Sequence, residues 1–169
     1  MEFVIRPYRT SDKSAIVQLT IDAFAPVSID RNIEVRFGLV GGHDWRWRKG
    51  RQVARELDQN PDGCFVAEDA GQLCGYITTV VDSESGMGWI PNLAVAASHR
   101  GAGIGRALIL HALRYFKQLG LTHARIETLE QNPIGQHLYP RCGFVEVARQ
   151  IHYCCSLENI ADGEGSSSG

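Results

Sequence analysis

A short apolar run over residues 2–6 (EFVIR), closed by Pro7, predicts a first strand. Thr10, Ser11 and Asp12 offer cap side chains to a helix whose apolar positions Ile16, Leu19, Ala23 and Phe24 recur at helical spacing and stop before Pro26. Residues 27–42 show no clear period. Residues 44–58 (DWRWRKGRQVARELD) read as a helix despite Gly50, and Asn60, Pro61, Asp62 and Gly63 end it with a turn. Two β-rich runs, 64–68 and 73–81, are separated by Asp69, Ala70, Gly71 and Gln72, the pattern of a hairpin. A further strand over 87–95 contains Pro91, so its ladder cannot run unbroken and a bulge or splayed end is expected there. From Gly103 to Gly120 the polar residues Arg106, His111, Arg114, Lys117 and Gln118 share one side of a helix whose remaining circumference is apolar and must be buried. A strand over 123–129, a short helix over 133–140 and strands near 144–148 and 150–157 complete the pattern. The order predicts an α/β fold with a mixed sheet rather than a regularly alternating parallel one.

Composition narrows the class. A chain of 169 residues with 44% hydrophobic and 21% charged residues can bury a core. The expected organisation is one domain over residues 1–158 and a disordered tail over 159–169, which ends DGEGSSSG. A formal charge of −2 gives no global attraction to nucleic acid or to anionic membrane, so neither is an expected partner. No apolar run approaches the ~18 residues of a membrane span, and MEFVIRPYRT lacks the apolar segment of a signal peptide, so the expected location is cytoplasmic. Cys64, Cys74, Cys142, Cys154 and Cys155 are odd in number and contain no CxxC, which disfavours a disulfide framework. Cys142, His152, Cys154 and Cys155 match no usual zinc spacing, so no metal is expected and the cysteines are read as buried thiols.

The 18 glycines exceed an average usage of about 7%, and three of them alternate in His99-Arg100-Gly101-Ala102-Gly103-Ile104-Gly105-Arg106, between a strand and the best helix of the chain. Such glycines allow positive φ and bring consecutive N–H groups to a helix end where four N–H groups lack partners. That is an anion cradle, or else a tight strand-to-helix turn without a ligand. A dinucleotide fingerprint needs glycine at position 106, which is Arg, and a P-loop needs Lys followed by Ser or Thr; both fail.

Arg100-Gly101-Ala102-Gly103-Ile104-Gly105 resembles the pyrophosphate-binding signature of the GNAT family of acetyl-coenzyme A dependent N-acetyltransferases. Asn92-Leu93-Ala94-Val95 is similar to the family's bulged central strand, and residues 132–144 (NPIGQHLYPRCGF) to its second motif, with Asn132, Tyr139 and Gly143-Phe144 at the family's spacings. The resemblance covers about residues 64–157. It implies a mixed, mostly antiparallel sheet of about six to seven strands with a splayed central pair, flanked by about four helices. It implies acetyl-coenzyme A as acyl donor and no metal, with Leu93, Ala94, Val95, Arg100, Gly101, Ala102, Gly103, Ile104, Gly105, Arg106 and Asn132 as its binding residues. The backbones of Leu93 and Val95 would pair with the pantetheine arm, and an N–H near Leu93 would stabilise an oxyanion.

By the same resemblance Tyr139 occupies the general-acid position; the alternative is an aromatic packed on Pro140 and Phe144. Trp89 stands where one branch of the family carries a catalytic Glu, while Glu127, five residues before Asn132, matches the base position of another branch. Glu127 is otherwise an exposed strand residue paired with Arg125 or Arg141, Glu130 and Glu84 are weaker candidates, and a relayed water is a further route. Acceptor recognition is expected between the first strand and the hairpin, where Phe37, Trp45 and Trp47 interleave with Arg46, Arg48, Lys49 and Arg51. This segment either lines a slot for an acceptor or is an amphipathic helix with indoles on the core and cations in water. The expected activity is direct acetyl transfer to a primary amine of a small molecule, amino acid or peptide N-terminus; the alternative is a coenzyme A-binding module without turnover. Homodimer formation is common in the family, and no sequence feature here fixes an interface.

Overall fold

The structure is a computed structural model and describes residues 2–158 and 160. Strand β1 (Phe3–Pro7) pairs antiparallel with β2 (Phe65–Asp69), which turns straight into β3 (Gln72–Asp82). The turn residues Ala70 and Gly71 have φ of 49° and 80°, the positive values that a two-residue hairpin loop needs at both positions. β3 pairs antiparallel with β4 (Met87–Val95), and β4 pairs parallel with β5 (His123–Ile126), giving one sheet in the order β1-β2-β3-β4-β5.

Strand alternation divides the core into two layers. Helix α4 (Ile104–Gln118) lays Ile104, Leu108, Ile109, Ala112 and Phe116 on one face of the sheet, against Phe65, Ala67, Ile77 and Ile90. Helices α1 (Lys13–Phe24) and α3 (Trp45–Gln59) cover the other face, where Ile16, Val53 and Leu57 meet Val66, Tyr76 and Ala94. Tyr76 is fully buried, and its hydroxyl shares a 2.7 Å hydrogen bond with Thr20 Oγ1, so this layer closes without an orphaned phenol.

The expected break in β4 is present. Thr78 lies opposite Asn92 and Val80 opposite Trp89, so Ile90 and Pro91 together face Thr79. The extra residue reverses the alternation. Before the bulge Gly88 and Ile90 face α4; after it Leu93 and Val95 do, while Ala94 turns to the α1–α3 layer.

The structure corrects four expectations. The sheet has five strands among the described residues, not six or seven: 144–148 and 150–157 form none. Phe144 still packs on the α4 layer, but from Val145 the chain leaves the core, and Val147 and Tyr153 are 94% and 90% exposed. Alternating apolar residues report a segment that suits a half-buried sheet surface, and here no strand edge is supplied to them. The same departure leaves Cys154 and Cys155 exposed, whereas Cys64 and Cys74 are buried thiols as expected. β5 stops at Ile126 rather than 129 because β4 bulges away from it after Ile90. The unassigned stretch 27–42 contains a further helix, α2 (Ile29–Phe37), making five α-helices among the described residues with α5 (Pro133–Leu138), rather than about four. Asp30 in its first turn, Arg36 in its last and Gly38 (φ 77°) after it are proper end signals, which the weak apolar period obscured. The tail expected over 159–169 lies outside the described residues, Ile160 excepted.

Gly88 shows how tightly β4 sits under α4: a Cβ there would lie 2.6–2.8 Å from the Phe116 ring, itself 2% exposed. Gly88→Ala is therefore expected to lower stability by about 1–3 kcal/mol through overpacking, read as a lower urea midpoint with an unchanged slope. Phe116→Leu in the same chain should recover part of the loss. An unmoved midpoint in the single variant would show that the two elements are not in this contact.

Candidate active site

The bulge and the short β5 create an opening beside β4. Pairing with β5 ends at Ile90–Ile126, so from Pro91 onward one edge of β4 has no strand beside it. Ala96 N–H donates to Cys74 O at 2.8 Å on the β3 side. The alternation of an antiparallel pair puts the backbone groups of Ala94 and Asn92 on that same side, and those of Leu93 and Val95 on the open one. Two residues therefore present N–H and C=O groups to the gap, while Ala94 is engaged in the sheet.

The gap leads to the glycine loop. Gly101 and Gly103 have φ of 81° and 82°, and a Cβ on either would meet nothing within 4 Å. Gly103 is the N-cap of α4 and no side chain among the described residues caps this helix, so the N–H groups of its first turn are open to an anion. Gly105 differs: a Cβ there would approach Leu138 at 3.2 Å, so this glycine lets α4 close on α5. Ala102 is half-buried on the α4 layer, Ile104 is buried in it, and Arg100 and Arg106 are exposed at either end of the loop.

α5 carries the second motif. Asn132 is its N-cap, with Oδ1 accepting from Gly135 N at 3.3 Å and Nδ2 donating to Thr128 Oγ1 at 2.9 Å. One hydrogen bond at each end of the Asn132 amide thus ties α5 to the chain after β5, leaving a further donor and acceptor position. Tyr139 follows α5, half-buried, with its ring edge-on to Phe144 at 6.3 Å. Desolvation pushes its hydroxyl up to about 12, with a hydrogen bond to Thr128 working against that and the Glu127 charge adding to it. Tyr139 therefore stays protonated across the physiological range.

Glu127 lies at the mouth of the gap, one residue beyond the last β4–β5 pair, and is exposed. It accepts a hydrogen bond from Trp89 Nε1 and stands 3.6 Å from Arg125, whose guanidinium sits 4.8 Å above the Trp89 ring. The Arg125 pairing expected for an exposed strand Glu is present, and the indole contact comes in addition to it. Glu130 and Glu84 stand elsewhere: Glu130 is exposed beside Arg149, and Glu84 sits in the β3–β4 turn. Trp89 divides two clefts, of about 370 Å³ towards α3 and about 450 Å³ towards Arg125.

Sequence reasoning missed the polar array beneath the first cleft. Lys49 is 8% exposed rather than solvated, and its Nζ donates to Asn92 Oδ1 at 2.7 Å and lies 4.5 Å from the Phe24 ring. Burial lowers its pKa, opposed by the charges of Glu56 and Asp30. Asn92, 2% exposed, passes the connection on by donating Nδ2 to Glu56 Oε2. Lys49, Gln52, Val53 and Glu56 are spaced i, i+3, i+4, i+7, so polar residues occupy the inward face of α3; that spacing was the available signal. The indoles of α3 also divide: Trp45 is buried, while Trp47 is 45% exposed and stacks on His43 at 3.6 Å, so the reading of an amphipathic helix with its indoles on the core holds for Trp45 and not for Trp47.

An open-edged β4 running into an uncapped helix start is the arrangement of a protein that holds an extended, anion-bearing ligand. Comparison with known proteins gives the class. The sequence profile of the acetyltransferase (GNAT) family matches residues 32–144, and the chain belongs to that family. A mycothiol acetyltransferase of Streptomyces avermitilis is 29% identical over 143 residues, covering 80% of this chain and 46% of the relative. The chain spans about half the length of the curated relatives it matches. Among solved structures, the PaiA N-acetyltransferase of Thermoplasma acidophilum in complex with coenzyme A superposes with a TM-score of 0.67 at 18% identity, covering 83% of this chain and 88% of that one. The ribosomal-protein-S18-alanine N-acetyltransferase of Escherichia coli gives 0.64 at 19% identity, covering 87% and 80%. Both share the fold. No helix among the described residues is long and apolar enough to cross a membrane.

Proposed function

We propose that this chain, acting as one domain over residues 1–158, transfers an acetyl group from acetyl-coenzyme A to a primary amine by direct attack. The observation that carries the proposal is the continuity of the β4 gap with the glycine loop: backbone groups of Leu93 and Val95 along an unpaired edge, then the free N–H groups at Gly103. The fit to coenzyme A is chemical. The diphosphate is an anion for the N–H groups of Gly101–Ile104, with Arg100 and Arg106 at its flanks, and the open space over Gly101 and Gly103 is what a side chain would fill. Gly105 and Ala102 shape the cradle, and Asn132 holds α5 against it. When bound, acetyl-coenzyme A supplies an activated thioester.

The residues then have separable tasks. Leu93 N–H is the donor for charge developing on the thioester oxygen, an interaction that strengthens in the transition state. Glu127 is the base for the incoming ammonium, a role favoured by its place at the mouth of the gap on a residue fixed by Trp89. Tyr139 assists the departing sulfur. With its hydroxyl at about 12, full transfer to a thiolate of pKa ~8.5 is uphill by about 5 kcal/mol, so Tyr139 acts as a hydrogen-bond donor to the sulfur, which departs as the thiolate and takes up the proton lost by the attacking nitrogen.

The names of relatives support an amine acceptor. They include mycothiol, streptothricin and spermidine acetyltransferases, whose acceptors differ widely, so the acceptor class must come from this chain's own cleft. Thiol release from acetyl-coenzyme A in the presence of alkylamines, amino acids and peptides is expected to exceed the rate of hydrolysis for at least one amine class. Tight coenzyme A binding with no turnover above hydrolysis on any of them would replace the enzyme by a binding module.

A further inference from the structure

Glu56 is the least explained charged group near the gap. It lies on the inward side of α3, half-buried, and lines the 370 Å³ cleft together with Trp89, Pro91 and Val80. Three donors hold its carboxylate. Gln52 Nε2 reaches Oε1 at 3.0 Å, Thr78 Oγ1 reaches Oε2 at 3.3 Å, and Asn92 Nδ2 also binds Oε2. All three are neutral. No ion pair within 4 Å reaches Glu56 among the described residues; the nearby Lys49 donates to Asn92 Oδ1 at 2.7 Å and to Gln52 Oε1 at 3.3 Å rather than to the carboxylate. A carboxylate offers about four acceptor positions, so one remains on Oε1.

An oriented, partly desolvated carboxylate whose nearest cation, Lys49, reaches it only through the Asn92 and Gln52 amides favours a cation from solution. The same cleft is lined by the Trp89 indole, which already carries the Arg125 guanidinium 4.8 Å from its ring, so its π-system suits positive charge. Glu127 meets the opposite part of that indole at Nε1. Two carboxylates therefore border one tryptophan, the first beside the thioester gap and the second back towards α3.

We propose that Glu56 is the acceptor-specificity residue of this site, binding a second ammonium group of the acceptor while the reacting amine lies at Glu127, so that the preferred acceptors are diamines or larger polycationic amines. Lys49 and Asn92 are positioning residues. Lys49 fixes the Asn92 oxygen, which turns the Asn92 NH2 towards Glu56 and keeps the carboxylate aimed at the cleft. The inference rests on the amine-acetyltransferase reading and adds to it the charge of the acceptor. Arg55 shares the rim of the cleft and is exposed, so the opposite charge preference is the rival outcome.

The test compares 1,4-diaminobutane with butylamine, which share a four-carbon chain and differ by the second ammonium group. The wild type is expected to favour the diamine by about 10- to 100-fold in kcat/KM, the scale of one charge-assisted hydrogen bond. Glu56→Gln should bring the ratio close to one, mainly by raising KM for the diamine. Glu56→Asp should restore part of it, and Lys49→Met should lower it through a higher KM for the diamine with kcat retained, a split that a purely structural loss would not give. Calorimetric titration of the diamine into wild type and Glu56→Gln reads the same interaction without turnover. If the diamine binds through Glu56 and no amine is acetylated, the acetyltransferase reading fails and the cation site stands. A diamine preference that survives in Glu56→Gln, no diamine binding to the wild type, or a preference for acidic amines that is lost in Arg55→Gln would overturn the proposal.

Discussion

Gly103→Val is expected to weaken coenzyme A binding by about 10²- to 10⁴-fold while leaving the protein folded. That range follows from two backbone donors at the start of α4, each worth about 1.5–3 kcal/mol to a charged phosphate, being screened by an isopropyl group in the space over the loop. Among the described residues nothing beyond its chain neighbours lies within 4 Å of a Cβ at this position, so the substitution does not overpack the core. It does impose a φ of 82° on a β-branched residue, at a cost of about 1–3 kcal/mol in stability. The chain supplies its own control. Gly71 in the β2–β3 turn has φ of 80° and equally open surroundings, so Gly71→Val carries the same backbone strain far from the loop. The two variants should melt at similar temperatures and differ only in coenzyme A affinity, measured by calorimetry. Equal affinity in both would remove the glycine loop from the binding site.

The parts of this fold that sequence pattern could reach are those whose cause is local. The hairpin at 69–72, the Pro91 bulge and the α4 stripe each depend on residues within a turn or two of each other, and the structure has them where the pattern puts them. The glycine loop is of the same kind, although its three glycines are not equivalent: Gly101 and Gly103 serve backbone conformation, and Gly105 serves packing on Leu138. The strands expected over 144–157 failed for a non-local reason. A period of two is a property of the segment, but a strand also needs a partner edge, and the chain leaves the core after Phe144. The Lys49–Asn92–Glu56 array failed similarly. Lys49 and Glu56 look like solvated charges on an amphipathic helix until Asn92, 43 residues after Lys49, is turned onto the α3 side. That placement follows the reversal of alternation at the bulge, so one irregularity frees the edge of β4 and delivers an amide to the α3 side.

Glu127→Gln is the sharpest test of the chemistry. An alkylamine with a pKa of ~10.4 is almost wholly protonated at pH 7, so removing its proton is the larger of the two proton problems, and a positioned base typically contributes 10²- to 10⁴-fold. Gln retains a carbonyl to accept the Trp89 Nε1 hydrogen bond, so the change removes proton capacity and the charge facing Arg125 while keeping the main contact. At pH 7, kcat/KM for an alkylamine is expected to fall by about 10²-fold. The deficit should shrink as pH rises towards 10, because the amine then supplies its own neutral form. For a peptide α-amine, with a pKa of ~7.7–8.0, the deficit at pH 7 should be smaller, since about 10% is already neutral. Tyr139 does not confuse the profile: burial holds its hydroxyl at about 12, above the range scanned. Wild-type and variant profiles that run parallel from pH 6 to 10 would exclude Glu127 as the base and leave a relayed water to take the proton.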